Sequence, residues 1–314
     1  MTSILVLRGG ALGDFLLTLP LLRALRRRWP SARIELVGNA TAAALAVDAG
    51  LLQTAHSQHE ARWLGLYQLA LPPALGDWLS SFDLVINAWP DPESRFPRMF
   101  PLRTGQTFVA IPPIVEGAGP AWRQLLHPVQ AAFGGDFGLG DERPRLPVTP
   151  SAREQGRKRL GGDLNPGSPG PIALHPGSGS RRKNAPWSEW RHLLHQLAPR
   201  PTLVVLGEAE AELGAPIEHL TLMHLHVARD WPLPVLAGAL SYCSGYIGHD
   251  TGVSHLAASI GVPALLVFGP TDPTVWSPAG GNVTSLRPRT DLVTLPIDEI
   301  LHRLQSAASV GPTH

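Results

Sequence analysis

The stretch ILVLRGGALGDFLLTLPLLRALRRR, residues 4–28, reads as strand, tight loop and helix. Ile4–Leu7 is a short apolar run with β-branched members, Arg8–Gly13 is a glycine-bearing loop, and the helical pattern runs from Asp14 to Arg28. Pro20 kinks that helix or marks its true start, because proline lacks the amide donor and clashes with the preceding turn. Outward from this unit, Arg33–Val37 supplies a second strand, Ala40–Ala49 a second helix ended by Gly50, and Asp83–Asn87 another buried strand. Strands alternating with helices predict a parallel sheet.

Between Trp89 and Pro150 repeated prolines break the pattern, and only Ala121–Phe133 reads as helix. Ser151-Ala152-Arg153-Glu154 has the form of a capping box opening a helix to Leu160, and Gly161–Pro171 is the best linker in the chain. The alternation then resumes with strands at 172–174, 203–206, 222–226, 246–248 and 264–268. Helices follow at 188–197, 208–213, 232–242 and 252–260. The expectation is an α/β protein of two facing Rossmann-like, doubly wound domains, 1–160 and 161–314, with a cleft between them. Ile297–Ser306 forms a last helix, for which the N-terminal domain is one packing surface.

A chain of 314 residues is long enough for two cores at roughly 150 residues per domain. Glycine and proline, 32 of each, stay below the level that marks disorder. With 26 Lys+Arg against 25 Asp+Glu, the net charge of +1 provides no basic field, so nucleic acid is not an expected partner. The single cysteine, Cys243, excludes an intrachain disulfide and a cysteine zinc cluster, and reads as a buried structural thiol. No basic start precedes the N-terminal apolar run, and no stretch approaches the ~20 apolar residues of a membrane span; the expected compartment is the cytoplasm.

In open parallel sheets ligands bind beyond the carboxyl ends of strands, and three such loops carry chemistry. In the first, Gly10 and Gly13 let the backbone turn and Asp14 stands at a helix start, where it either faces the expected cleft or is a simple cap. Its G-G-x-x-G spacing misses the dinucleotide fingerprint. The second, HPGSGSRRK at 175–183, offers Ser178, Ser180, Arg181, Arg182 and Lys183 to phosphate oxygens, or is a solvated basic turn. In the third, GHDTGVSH at 248–255, the helix start at Thr251 and Gly252 is an anion site, Asp250 can accept from sugar hydroxyls, and His255 is either a packed or hydrogen-bonding residue or a catalytic one. Asp250 and Thr251 also fit simple caps, and the spacing of His249 and His255 suits no metal.

Together these three loops, the last extended as GHDTGVSHLAASIGVPALLVFGPTDP at 248–273, resemble the family 9 glycosyltransferases, the heptosyltransferase-like enzymes of lipopolysaccharide assembly. The resemblance implies a GT-B fold and inverting, metal-independent transfer without a cofactor, from a nucleotide-diphospho-sugar such as ADP-heptose to a glycan or lipid-linked acceptor. It implies that the N-terminal domain takes the acceptor and the C-terminal one the donor. Asp14 would be the base, Thr251 and Gly252 the pyrophosphate donors, Asp250 the sugar contact, and Ser178, Ser180 and Lys183 the phosphate loop, with His255 beside them. The sequence departs from the family after Lys183, where Asn184-Ala185-Pro186-Trp187 leaves Arg181 or Arg182 as substitutes. A lipid-linked acceptor would bring the protein to the inner face of the cytoplasmic membrane, and Arg23, Arg26, Arg27, Arg28 and Arg33 form either a basic face for it or a solvated helix end. The rival readings are a sugar-nucleotide epimerase or hydrolase of the same fold, and a noncatalytic sugar-nucleotide-binding protein.

Overall fold

The computed structural model describes residues 1–91, 93–112, 119–134, 146–162, 170–207, 210, 217, 225–278, 282–287 and 295–309. The chain forms two compact units, Met1–Pro147 and Val148–His314. Each contains one all-parallel sheet.

The first sheet has the order β3-β2-β1-β4-β5, with β1 at Ser3–Arg8, β2 at Arg33–Gly38, β3 at Thr54–Ser57, β4 at Leu84–Asn87 and β5 at Thr107–Ala110. β1 is buried along its whole length, as a central parallel strand covered on both faces must be. It pairs with β2 from Ser3↔Arg33 to Arg8↔Gly38, and with β4 from Ile4↔Leu84 to Leu7↔Asn87. The chain winds outward from β1 in one direction and then in the other, so the crevice of this sheet lies at the carboxyl ends of β1 and β4. The helix expected at 14–28 is two: α1 at Leu12–Leu16 and α2 at Leu19–Arg28, with Pro20 in the first turn of α2, where its missing amide costs nothing. α3, Ala40–Asp48, is capped by Asn39, whose side chain accepts the Ala42 amide at 3.0 Å.

The stretch that read poorly holds more than one helix. Beyond α4 at Pro73–Ser80, it contains α5 at Phe96–Met99 and the edge strand β5 before α6 at Ala121–Phe133. Trp63, Trp89 and Trp122 are buried, and Trp78 packs edge-on to Phe82 at 5.0 Å, so these rings serve the core.

The second sheet has the order β11-β10-β9-β6-β7-β8. Its strands are β6 at Ile172–His175, β7 at Thr202–Leu206, β8 at Leu225–Arg229, β9 at Gly245–His249, β10 at Ala264–Val267 and β11 at Val283–Leu286. Here the winding reverses between β6 and β9, which pair from Ile172↔Gly245 to His175↔Gly248. The division falls at Pro147, ahead of the expected 160, because α7 at Pro150–Arg159 belongs to the second unit. It crosses α9, Leu233–Leu240, at backbone contact: a Cβ on Gly156 would strike the backbone of Ala239, and one on Gly238 the carbonyl of Ala152. The cap of α7 is Thr149, which accepts the Ala152 amide at 3.2 Å, and not the expected Ser151 box. Glu154 is drawn to Arg157 instead, at 2.9 Å.

α8 at Trp187–Leu197, α10 at Gly252–Ser259 and α11 at Pro273–Trp276 follow β6, β9 and β10. The last helix, α12 at Ile297–Ser309, packs on its own unit: Ile300 is fully buried in a core with Ile172, Leu174 and Trp190, and Ile297, Leu301 and Leu304 lie against it. The helix expected at 208–213 lies, apart from residue 210, outside the described residues.

Candidate active site

Asp14 stands at the crevice of the first sheet. It is the third residue of α1, and its Oδ2 accepts the Ala11 amide at 3.0 Å while its Oδ1 accepts Arg8 Nη2 at 3.0 Å. The N-cap is therefore Ala11 and not Asp14, whose Oδ2 satisfies the N-cap amide from the third position of the helix. The side chain is still 39% exposed, and each carboxylate oxygen has a second lone-pair direction. Gly10 is required here: its φ is +113°, and a Cβ would collide with the Asp14 carboxylate. Gly13 has no such duty, since it lies inside α1 and accepts the Leu17 amide at 2.9 Å, which corrects the expectation of a turn glycine. Gln58, from the end of β3, meets the same loop by accepting the Gly10 amide at 3.0 Å.

In the second sheet the loops after β6, β9 and β10 converge. Asp250 Oδ2 accepts Lys183 Nζ at 2.7 Å and Thr271 Oγ1 at 2.8 Å, and its Oδ1 lies 3.9 Å from His255 Nε2. Burial works against ionisation of Asp250, but the His255 ring, the Lys183 ammonium and the Thr271 hydroxyl outweigh it and hold the carboxyl at about 2. Lys183 is thus fixed across the sheet by Asp250, while Arg182 is exposed. Thr271 escaped the reading of residues because a threonine in a Gly-Pro-Thr-Asp-Pro loop has no spacing that marks it.

Thr251 caps α10 by accepting the Ser254 amide at 3.2 Å, so its side chain performs the cap that the sequence allowed. Ser254 is locked beneath it by the His249 carbonyl and by Tyr246 Oη at 2.9 Å. The amides of Gly252 and Val253 open the helix, where no carbonyl lies one turn back, and face the positive end of the helix dipole. His249 is a packed residue: its Nδ1 donates to Val267 O at 3.2 Å and its Nε2 accepts the Ala185 amide at 3.0 Å. Burial depresses its basicity to about 4, so the ring stays neutral and ties β9 to the loop after β6.

The two serines of that loop divide. Ser178 is buried, with Oγ 2.8 Å from Ser180 O and 2.5 Å from Asn184 Oδ1, and it accepts the Ser180 amide; its hydroxyl shapes the loop and is not offered to a ligand. Ser180 is exposed. Gly177 lies against the buried Glu210 carboxylate, which a Cβ there would strike. Among the described residues no three His, Cys, Asp or Glu side chains gather as a metal site. Of the arginines around α2, two are spent internally while Arg27 and Arg28 are exposed at the helix end. Arg26 binds the carbonyls of Pro30, Ala32 and Leu51, and Arg33 pairs with Glu35 over the Phe82 ring.

Three comparisons bear on this geometry. Residues 121–294, more than half of the chain, match the model of Glycosyltransferase family 9 (heptosyltransferase). A curated relative, Lipopolysaccharide heptosyltransferase 1 of Escherichia coli strain K12, is 35% identical over 136 residues, 40% of this chain and 40% of that protein, so the match spans about two fifths of the relative's length. The fold is that of the glycosyl transferase family 9 structure from Veillonella parvula, with a TM-score of 0.76 and 18% identity over 98% of this chain and 97% of that one. The Escherichia coli heptosyltransferase WaaC with ADP gives 0.71 and 18% over 98% and 100%. The two parallel-sheet units are accordingly of the GT-B class, and with the family model matching most of the second unit, the chain belongs to glycosyltransferase family 9.

Proposed function

We propose that this chain is an inverting, metal-independent glycosyltransferase that moves heptose from ADP-heptose to a lipopolysaccharide-core or related glycan acceptor in the cytoplasm. The observation that carries the donor half is the Lys183–Asp250–Thr271 cluster at the winding reversal of the second sheet, beside the open amides of α10. A departing nucleoside diphosphate develops charge on its β-phosphate, and a fixed ammonium with two aimed amides stabilises that charge without a metal ion. Support for ADP as the leaving group comes from the nucleotide bound in the Escherichia coli structural relative.

Asp14 supplies the acceptor half. Its carboxylate takes the proton of the acceptor hydroxyl as that oxygen bonds to the anomeric carbon, the bond from that carbon to the diphosphate oxygen breaks, and ADP leaves from the opposite face. Asp250 acts first on Lys183; its Oδ1 keeps room for a sugar hydroxyl.

Melting curves test the donor half in EDTA with ADP, UDP, GDP, dTDP and CMP. ADP is expected to stabilise the wild type, by about 2.7 kcal/mol at a hundredfold excess over Kd. Gly252→Pro removes one amide at the first position of α10, where proline is tolerated, and follows Thr251, which is already extended at φ −145° and ψ 166°. The variant should lose the ADP shift. A wild type that ignores every nucleoside diphosphate, or a variant that binds ADP as well as wild type does, overturns this placement. Product analysis then separates transfer from hydrolysis: release of free heptose without acceptor would favour the hydrolase.

Approach to a lipid-linked acceptor belongs to the same proposal. It is supported by the uncharged run Trp63–Gly76, in which Leu64, Tyr67 and Leu69 are 68%, 45% and 103% exposed, with Arg95 hydrogen-bonded to the Tyr67 carbonyl at 2.7 Å. Exposed leucines and a tyrosine beside a cation suit the surface of an anionic bilayer. Among the described residues no helix is long and apolar enough to cross a membrane. Cosedimentation with anionic vesicles is the check: wild type should pellet, Leu69→Asp should pellet less, and equal pelleting of the two would remove this contact.

A further inference from the structure

Arg8 closes β1, with a side chain only 9% exposed, at the end of the central strand of the first sheet. A cation in that position is costly unless it is paired. Arg26 spreads its guanidinium over three carbonyls and the Gln53 amide oxygen. Arg8 does not do this. Among the described residues its guanidinium makes one directed contact, Nη2 to Asp14 Oδ1 at 3.0 Å. The Nε of each arginine is buried without a partner, so the difference lies in where the rest of the fork is spent: on the backbone by Arg26, on one carboxylate by Arg8.

We propose that Arg8 is the positioning residue for Asp14: it fixes the carboxylate so that the lone pairs left on Oδ1 and Oδ2 are held in defined directions for the acceptor hydroxyl. The inference rests on the reading of Asp14 as the base. Three constraints act together. Arg8 holds Oδ1, the Ala11 amide holds Oδ2, and Gly10 at φ +113° lets the loop pass where any side chain would displace the carboxylate. Because Arg8 belongs to β1 and is seated by the core, the direction of its fork is set by the sheet and not by a mobile loop. The charged group in contact with Asp14 is Arg8 alone among the described residues; His59 stands one step away, 3.4 Å from Gln58, whose side chain holds the Gly10 amide.

The experiment compares Arg8→Gln, Arg8→Lys and Asp14→Asn in the full chain, with ADP binding and melting temperature measured on each and kcat and KM determined for donor and acceptor. Arg8→Gln should lower kcat about 10–100-fold with donor KM unchanged. Arg8→Lys should recover only part of kcat, since an ammonium can hold the same carboxylate oxygen but is a point charge without the planar fork. A slower Arg8→Gln enzyme whose donor KM rises in step, or whose kcat Arg8→Lys does not recover at all, would mean a merely structural arginine, and unchanged kinetics would mean none; each overturns the inference. If Arg8→Gln loses ADP binding or its melting transition, Arg8→Lys decides, and a wild-type kcat there overturns it. An active Asp14→Asn enzyme would instead remove the base itself, which is a different failure from that of Arg8.

Discussion

Asp14→Asn is expected to lower kcat by about 10²–10⁴ while leaving ADP affinity within about twofold. The substitution keeps the shape at the start of α1, because the asparagine carbonyl can still accept the Ala11 amide that Asp14 Oδ2 accepts at 3.0 Å. What disappears is the proton acceptor and the negative partner of Arg8, whose side chain is 9% exposed. The loss of that pair costs some stability, since the guanidinium is left buried and unpaired, so the melting temperature should fall by a few degrees. ADP affinity is the internal control, because the donor loops belong to the second unit and Asp14 to the first. Steady-state kinetics with acceptor and isothermal titration with ADP check both halves. A variant with wild-type kcat would end the assignment of Asp14. One that loses ADP binding as well would show that the substitution reached beyond the base.

The fold was legible where one strand is buried on both faces. Ile4–Leu7, Ile172–Leu174 and Ala264–Phe268 are continuous apolar runs closed by loops, and they became β1, β6 and β10 within one residue or two. Edge elements were not legible for the opposite reason: β3, Thr-Ala-His-Ser, is half exposed and has no apolar run at all, and β5 is exposed at its last residue. The domain limit slipped because a Gly/Pro-rich segment looks like a linker, whereas the signal that binds α7 to the second unit is an Ala152–Gly156 spacing that matters only once α9 lies against it. In the candidate site, the loops after β1, β6 and β9 could be found from their position in the alternation. The partners of the named residues could not. Arg8 is one cation among many until β1 is seen to bury it, and Thr271 is an unremarkable hydroxyl until β10 brings it within 2.8 Å of Asp250. Side chains that act through another residue leave no periodicity, because the geometry joining them is set by strand order and not by spacing.

On the proposed reading, in which the ammonium contacts donor phosphate in the ground state and meets more charge as the diphosphate departs, Lys183→Ala is expected to raise the donor KM about 10–100-fold and to lower kcat as well. The structure adds a sharper expectation, since Lys183 Nζ and Thr271 Oγ1 share the same oxygen of Asp250. If Asp250 acts on the donor chiefly by fixing Lys183, then Asp250→Asn alone should resemble a milder Lys183→Ala, and the double variant should be no worse than Lys183→Ala. Additive losses in the cycle would instead give Asp250 its own contact with the sugar. The pH dependence points the same way. Asp250 is held at about 2 against an ordinary value of 3.8, so the stability it contributes is complete above about 4 and is lost only as pH falls through about 2. A donor KM measured in the wild type from about pH 5 upward should therefore carry no limb from Asp250. Unchanged kinetics in Lys183→Ala would move the phosphate role to the exposed Arg182 or its neighbour Arg181, and the 2.7 Å pair with Asp250 would then be a strut between β6 and β9.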